Sequence, residues 1–350
     1  MTGAVHRAAA VAAALAMPAG LLAQSATIAG RVAVKGAQMA LTYTVVSASP
    51  GGDEQFTNGE GRFLIHNVPP GRVTLRVRHI GYAALDTTVD VAAGDTVRVV
   101  LEMSLITIEL PAVHSLAKAC AHPGGSDAQI GANLSLLFEQ IKENAERNRL
   151  LSRSYPFELS IERKITKPEP LLEARFVAFD TITRSSDRDW RYAPGRMLGT
   201  REYDGGVFGG KWWTITLPEL ADFADERFLV NHCFDYAGLD VIDGDTLLRI
   251  DFRPAPAVRT PDVAGAVFLD PSTYQLRTTE LALVNLTKQL RAQVSGQSIR
   301  EDFTEIIPGV PVLDVVSSVV FPKEDPKAPA GEPATENQRT LAVRFLKGKP

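Results

Sequence analysis

The fold class of this chain is decided by the stretch Thr57-Asn58-Gly59-Glu60-Gly61-Arg62-Phe63, continued by Val68-Pro69-Pro70-Gly71-Arg72-Val73-Thr74-Leu75-Arg76-Val77. Apolar and polar residues alternate with a period of two, and glycine and proline separate the runs. This pattern is typical of short β-strands joined by tight turns. The stretch therefore predicts a meander of strands.

The residues on either side extend the same pattern. Ser49–Asp53 is predicted as a turn, and no helical period separates the strands, so residues 24–103 are predicted to form a β-sandwich. The predicted strands are Ala26–Val34, Leu41–Val46, Phe63–Ile65, Val73–Val77, Thr87–Val91 and Thr96–Leu101.

Four motifs in residues 25–103 resemble the carboxypeptidase regulatory-like domain: Gly30-x-Val32, Thr57-Asn58-x-x-Gly61-x-Phe63, Val68-Pro69-x-Gly71 and Ile80-Gly81-Tyr82. The resemblance implies a transthyretin-like or immunoglobulin-like β-sandwich. Domains of this family often lie at the N-terminus of TonB-dependent receptors and other bacterial envelope proteins. The resemblance therefore implies an accessory module.

Residues 104–119 are predicted as a linker, and residues 120–350 as an α+β domain. Its first element is a helix that begins at Ser126, because Ser126 and Gln129 have the spacing of a capping box. One face of this helix is apolar at helical spacing. That face consists of Ile130, Leu134, Leu137, Phe138, Ile141 and Ala145.

After Tyr155 the apolar period returns to two, which predicts an antiparallel sheet backed by the helix. Leu217–Phe228 is predicted as a second, short helix, and Glu324–Asn337 as an exposed loop because it is rich in proline, alanine and glutamate. The predicted strands are Phe157–Glu162, Ala174–Phe179, Thr246–Phe252, Gly265–Leu269, Leu276–Val284, Val312–Val320 and Thr340–Leu346.

Two stretches of the second domain resemble uncharacterised bacterial exported proteins: Arg227-Phe228-Leu229-x-x-His232-Cys233-Phe234 and Gly265-x-Val267-x-Leu269-Asp270-Pro271-x-Thr273-x-x-Leu276-Arg277. The second stretch is also similar to a strand–turn–strand of the lipoprotein-carrier (LolA-like) half-barrel. That resemblance implies a periplasmic protein that holds a lipid or another hydrophobic ligand.

The first 23 residues have the pattern of an export signal, with Arg7 before an apolar run and a small residue, Ala23, at the expected cleavage point. The run is too short to span a bilayer and contains Pro18. We therefore expect a protein without a transmembrane segment after signal cleavage, in the periplasm or associated with the outer membrane. In such an oxidising compartment Cys120 and Cys233 are predicted to form a disulfide, the alternative being two buried thiols.

The charge pattern bears on the class of partner. The formal net charge is −4 and the pI is about 5.9, which argues against a nucleic-acid-binding protein, since that class needs a strongly basic face. The ligand or partner is predicted to be an envelope protein, a hydrophobic molecule or a carbohydrate.

Patterns for catalysis are missing from the sequence. It contains neither the His-x-x-Glu pair of zinc carboxypeptidases nor a Gly-x-Ser-x-Gly nucleophile elbow. Cys120, His122, His232 and Cys233 lack zinc-finger spacing, and the acids Asp240, Asp243, Asp245 and Asp251 lack the EF-hand pattern. We therefore expect a protein that is not an enzyme and has no metal or cofactor.

Four aromatic residues are the candidates for ligand contact: Trp190, Trp212, Trp213 and Tyr236. Aromatic rings on a sheet can stack on a sugar or line an apolar groove, although the same rings also serve as core residues. The leading hypothesis is a non-catalytic exported scaffold or interaction protein. The alternatives are a hydrophobic-ligand carrier and a carbohydrate-binding module.

Overall fold

The computed structural model describes residues 25–37, 39–108, 132–169, 174–187, 191–203, 210–323 and 331–348. These residues form a mainly β protein. An N-terminal sandwich is followed by a long helix and a large antiparallel sheet, which confirms the fold class expected from the sequence.

The sandwich is built from seven strands in two sheets. One sheet has the order β4-β1-β7, with β1 parallel to β7, and the other has the order β3-β2-β5-β6. Alternate residues of both sheets face one core, as period-two patterning requires. The strands are β1 Ala26–Val34, β2 Val45–Ser49, β3 Gly52–Phe56, β4 Arg62–Val68, β5 Gly71–Arg78, β6 Leu85–Val91 and β7 Thr96–Met103.

The predicted turn Ser49–Asp53 is shorter in the structure, because β3 already begins at Gly52. This strand lies at the edge of its sheet and carries polar residues, so its sequence looks like a loop. The second strand begins at Val45 instead of Leu41. Two buried threonines explain this: Thr44 and Thr57 both donate hydroxyl hydrogen bonds to the carbonyl of Leu41 and hold the chain in a turn there.

Gly61 in the quoted stretch shows why a glycine is needed. Its φ is +72°, and a Cβ at this position would lie 2.7 Å from the carbonyl oxygen of Val32. A larger residue would therefore meet both backbone strain and a clash with strand β1.

The second domain is dominated by a nine-stranded antiparallel sheet with the order β12-β13-β14-β15-β16-β17-β18-β8-β9. β10 and β11 form a separate antiparallel pair. The strands are β8 Phe157–Glu169, β9 Ala174–Ser185, β10 Leu198–Tyr203, β11 Gly210–Ile215, β12 His232–Ile242, β13 Asp245–Pro254, β14 Asp262–Leu269, β15 Leu276–Val284, β16 Val294–Ile307, β17 Val310–Pro322 and β18 Ala334–Phe345.

The sheet is packed against α1, the helix Ala132–Ser154. Leu137, Ile141 and Ala145 of the predicted apolar face are buried, and Phe138 packs against the same core. The predicted start at Ser126 lies outside the described residues. The helix-backed sheet is therefore confirmed, and its core is the largest in the protein.

Three parts of this domain differ from expectation. β18 begins at Ala334, inside the predicted loop, and hydrogen-bonds to a neighbour on each side, so its polar start is held by strand pairing. β12 and β16 were not predicted, since polar side chains occur on both faces of these strands.

The predicted helix Leu217–Phe228 is a 3-10 helix, Leu220–Ala224, followed by the one-turn helix α2, Glu226–Leu229. Asp225 has an extended backbone between them and caps α2 by accepting a hydrogen bond from the Arg227 amide, which interrupts a continuous helix. A similar short helix, α3, covers Lys288–Arg291.

The first part of the predicted linker packs against both domains. The amide of Ile106 donates to the carbonyl of Gly81, and Ile108 is buried beside Tyr274 of the second domain. Residues 109–119 lie outside the described residues.

Candidate functional site

A row of side chains crosses the inner face of the large sheet. Strand register puts neighbouring members of the row opposite each other, and opposed residues in an antiparallel pair share a face. The buried Glu301 shows that this face points toward α1, because it lies beneath the helix in the domain interior. The row is Thr279, Glu301, Val316, Gln338, Arg163 and Asp180.

A cavity of about 760 Å³ lies between this face and the C-terminal half of α1. It is bounded by β8, β9, β16 and β17 and by the 3-10 helix Leu220–Ala224. Its volume falls in the range of about 300–1,000 Å³ that is usual for small-molecule sites. The remainder of the main core is filled by packed apolar side chains.

The lining of the cavity changes from apolar to charged. Its buried wall consists of Phe157, Leu159, Leu220 and Val312, with Phe303 and Leu313 partly buried beside them. Apart from Ser185, the exposed lining residues near its mouth are charged: Arg149, Arg153, Asp187, Arg191 and Lys347. The site is therefore amphipathic, and more polar than a pure acyl-chain pocket would be.

Glu301 is the one acidic group of the buried lining in the described part of the chain, and it is 8% exposed. Burial raises its pKa from 4.5 to about 7, while the hydrogen bond from Thr279 and the charge of Arg184 act in the opposite direction. The Thr279 hydroxyl donates to Glu301 Oε2 at 2.9 Å. Arg184 donates to Gln338 Oε1 at 3.1 Å and lines the same cavity.

The opposite side of α1 is joined to the sandwich by an ion-pair network. Arg78 of β5 lies 2.9 Å from Glu143 and 2.7 Å from Glu54, and it also contacts Glu146. Burial raises the pKa of Glu143, although Arg78 acts to lower it. Gln140 adds a hydrogen bond to this interface by accepting from the Gly81 amide.

Arg147 completes the domain interface from within the core. It is fully buried, and burial lowers its pKa to about 10. Its Nε donates to the carbonyl of Gly309 at 2.6 Å, and Nη2 donates to the carbonyl of Tyr43 at 2.7 Å. The guanidinium also lies over the ring of Phe56. Tyr43 and Phe56 of the sandwich therefore contribute to the contact between the domains.

A second polar cluster is sealed inside the domain. The Tyr192 hydroxyl donates to Asp262 Oδ2 at 2.5 Å, and His232 Nε2 lies 3.3 Å from Asp262 Oδ1. All three side chains are 0% exposed, and the ring of His232 stacks on Phe228. Burial, followed by the hydrogen bond to Asp262, raises the pKa of Tyr192. In this arrangement the three side chains are packing and hydrogen-bonding groups of the core.

Of the four aromatic candidates, Tyr236 is the one whose side chain lies within the described residues. Trp190 lies outside the described residues, and Trp212 and Trp213 are described only by their backbone pairing in β11 with Arg201 and Thr200. Tyr236 of β12 is partly buried against the main core. The described lining of the cavity consists of residues that the sequence did not single out.

The cysteine pair and its nearby histidines are only partly described. Cys233 is buried on β12, whereas Cys120 and His122 lie outside the described residues. The disulfide therefore stays a prediction.

Three of the four acids of the predicted cluster are paired with arginine side chains. Asp240 and Asp251 both pair with Arg249, and Asp243 pairs with Arg300. Across the described ranges, no group of three or more His, Cys, Asp or Glu side chains has the geometry to hold a metal ion. In the same residues, no helix has both the length and the apolar character to cross a membrane.

Comparison with known proteins identifies the first domain. Residues 27–104 match the family model of the carboxypeptidase regulatory-like domain, in agreement with the motifs in the sequence. No match is found among curated proteins.

Three solved structures are similar to the larger part of the chain. A putative outer membrane lipoprotein-sorting protein domain from Vibrio parahaemolyticus is 9% identical with a TM-score of 0.32, covering 61% of this chain and 95% of its own. A DUF1329 family protein from Desulfovibrio piger is 11% identical with a TM-score of 0.30, covering 61% and 95%. A LolA superfamily protein from Nitrosomonas europaea is 10% identical with a TM-score of 0.30, covering 61% and 94%.

Proposed function

We propose that the second domain binds a small amphipathic molecule in the cavity beneath α1, and that the protein is an exported, non-catalytic binding protein of the cell envelope. The observation that carries this proposal is the cavity itself, which has a buried apolar wall and a charged mouth. Ligand sites commonly combine an apolar lining with a few polar groups that orient the ligand.

The non-catalytic part of the proposal is supported by the position of one cluster of acid–base groups, and by the one acid of the buried cavity lining, Glu301, being hydrogen-bonded to Thr279 and not to a base. Tyr192, Asp262 and His232 resemble a relay in their contacts, but all three are buried away from the cavity lining. Catalytic acid–base groups must reach the reacting atoms within hydrogen-bond distance. Peptide hydrolysis by the purified protein that a chelator abolishes would contradict this part.

The binding part is tested by filling the cavity. Ser152 of α1 is partly buried and lines it, so Ser152→Trp places an indole in the ligand space without removing a core side chain. We expect the wild-type protein to bind a neutral C12 alcohol saturably in calorimetry and Ser152→Trp to lose most of that affinity. The matched control is Glu139→Trp, at an exposed position on the same helix that lines the domain interface instead.

Circular dichroism establishes that both variants are folded. Equal affinity of wild type and Ser152→Trp would place binding elsewhere, and no saturable binding of any amphiphile would refute the proposal.

A second candidate function is an interaction module. β9 forms one edge of the nine-stranded sheet, and its Phe176 and Phe179 are 52% and 68% exposed. Such an edge can accept a strand from a partner protein. Phe179→Lys should weaken pairing at this edge and leave amphiphile binding unchanged, which separates the two functions in one binding experiment.

A further inference from the structure

The mouth of the cavity has an excess of positive charge. Among the exposed charged residues of the mouth, one acidic side chain, Asp187, stands against four cationic ones, so the local balance is +3, in a chain whose formal net charge is −4. A local charge opposite in sign to that of the whole protein focuses its field on the site. The four cations are Arg149, Arg153, Arg191 and Lys347.

Arg153 can respond to a ligand at little cost. The pair between Arg153 and Glu54 is 3.4 Å long, and the side chains are 59% and 35% exposed. Exposed pairs of this kind contribute about 0–1 kcal/mol, so exchanging Glu54 for a ligand anion costs little. Arg149 and Lys347 are exposed and line the same opening.

The interior of the cavity has no such excess of positive charge. Its buried wall is apolar, and the half-buried Arg184 is balanced there by the buried acidic group of Glu301. A ligand anion beside this carboxyl would lose its contact with water. Burial at this position already disfavours the charged form of Glu301, and it would disfavour a ligand anion for the same reason. An apolar chain suits the same wall, because Phe157, Leu159 and Leu220 offer only carbon atoms from their side chains.

We infer that the ligand is an anionic amphiphile whose apolar chain lies against the buried wall and whose carboxylate or phosphate head stays at the mouth beside Arg149, Arg153 and Lys347. This inference rests on the proposed function and adds the charge and the orientation of the ligand. It follows from the order of the lining, with four exposed cations at the mouth and an apolar buried wall inside.

The test compares probes with the same chain length and different heads. Calorimetry with the full chain at low salt would use dodecanoate, dodecyl phosphate, dodecanol and dodecyltrimethylammonium. We expect the two anions to bind about five- to tenfold tighter than dodecanol, the fold-change expected for about 1 kcal/mol of charge interaction, and the cation to bind weakest. This preference should shrink as salt is added.

Acetate and inorganic phosphate separate an amphiphile site from a site for free anions. We expect neither to compete with dodecanoate, since neither has a chain to bury. If they bind as tightly as the C12 anions, the amphiphile assignment is wrong.

Charge reversal identifies the cations involved. The double variant Arg149→Glu/Lys347→Glu should lower dodecanoate affinity about tenfold and lower dodecanol affinity by less. Arg98→Glu, at an exposed position on β7 of the sandwich, is the matched control and should leave dodecanoate affinity unchanged.

The outcomes distinguish this inference from the function on which it rests. Equal binding of all four C12 probes, or an anion preference that survives in the double variant, overturns the inference and leaves the proposed function standing. No binding of any probe overturns both.

Discussion

Replacing Glu301 by glutamine should make the protein more stable at neutral and alkaline pH and leave its stability at acidic pH nearly unchanged. Burial raises the pKa of this carboxyl from 4.5 to about 7 in the folded protein. In the unfolded chain the group is in water and keeps its ordinary pKa. The folded state therefore binds this proton more tightly than the unfolded state does.

The size of the stability penalty follows from the shift in the pKa of Glu301. Below about pH 4.5 both states are protonated, and Glu301 costs no stability through ionisation. As the pH rises from 4.5 toward 7, ionisation of this carboxyl stabilises the unfolded state, while the folded state still holds the proton. Above pH 7 the penalty levels off at about 3 kcal/mol, since one pKa unit corresponds to about 1.4 kcal/mol. Glutamine does not ionise, and its carbonyl can accept the hydrogen bond from Thr279.

The assay is urea unfolding followed by circular dichroism at several values between about pH 4 and pH 8. The difference in unfolding free energy between Glu301→Gln and wild type should be near zero at the acidic end and grow toward about 3 kcal/mol at the alkaline end. Glu162→Gln, at an exposed position on β8, is the control and should show no such trend. A difference that is independent of pH, or that grows as the pH falls, would refute the reasoning.

Two further substitutions test the packing of the second domain. Arg147→Met should lower the unfolding free energy by about 3 kcal/mol or more, because it leaves buried carbonyls unpaired, whereas the exposed Arg149→Met should change it by less than about 0.5 kcal/mol. A Cβ at Gly265 would lie 1.8 Å from the carbonyl oxygen of Glu280, so Gly265→Ala should cost about 1–3 kcal/mol. Gly296→Ala in the same sheet meets nothing within 4 Å and is the control. Denaturant midpoints are compared between each test variant and its control. Equal midpoints for a test variant and its control would contradict the packing described.

The parts of the fold that sequence reasoning predicts are those governed by local patterns. Period-two alternation predicts most strands of the sandwich, and helical spacing predicts the buried face of α1. β3 is missed because an edge strand needs few apolar residues, and Asp53, Glu54 and Gln55 look like a loop. The strand order could not be predicted, since β8 pairs with β18 across more than half of the domain sequence.

The cavity was not predicted from the sequence for a related reason. The candidates were chosen by side-chain type, and rings such as Tyr236 are equally suited to a core. The better signal is a single acid on an apolar face. In β16, Glu301 lies two residues from Ile299 and two from Phe303, so all three share one face of the strand. This pattern is informative only if β16 is known to be a central strand of the sheet. The polar residues of β16 do not indicate a central strand.

Helix α1 connects the cavity to the sandwich, and this connection bears on what a ligand does to the domains. Arg153 lines the cavity mouth and also pairs with Glu54 of the sandwich, so an anionic head that binds Arg153 competes with Glu54. That contact is exposed and weak. The sandwich is held independently by Arg78, which pairs with Glu143 and Glu146 of α1, and by the buried Arg147. Ligand binding should therefore release one surface ion pair and leave the two domains joined.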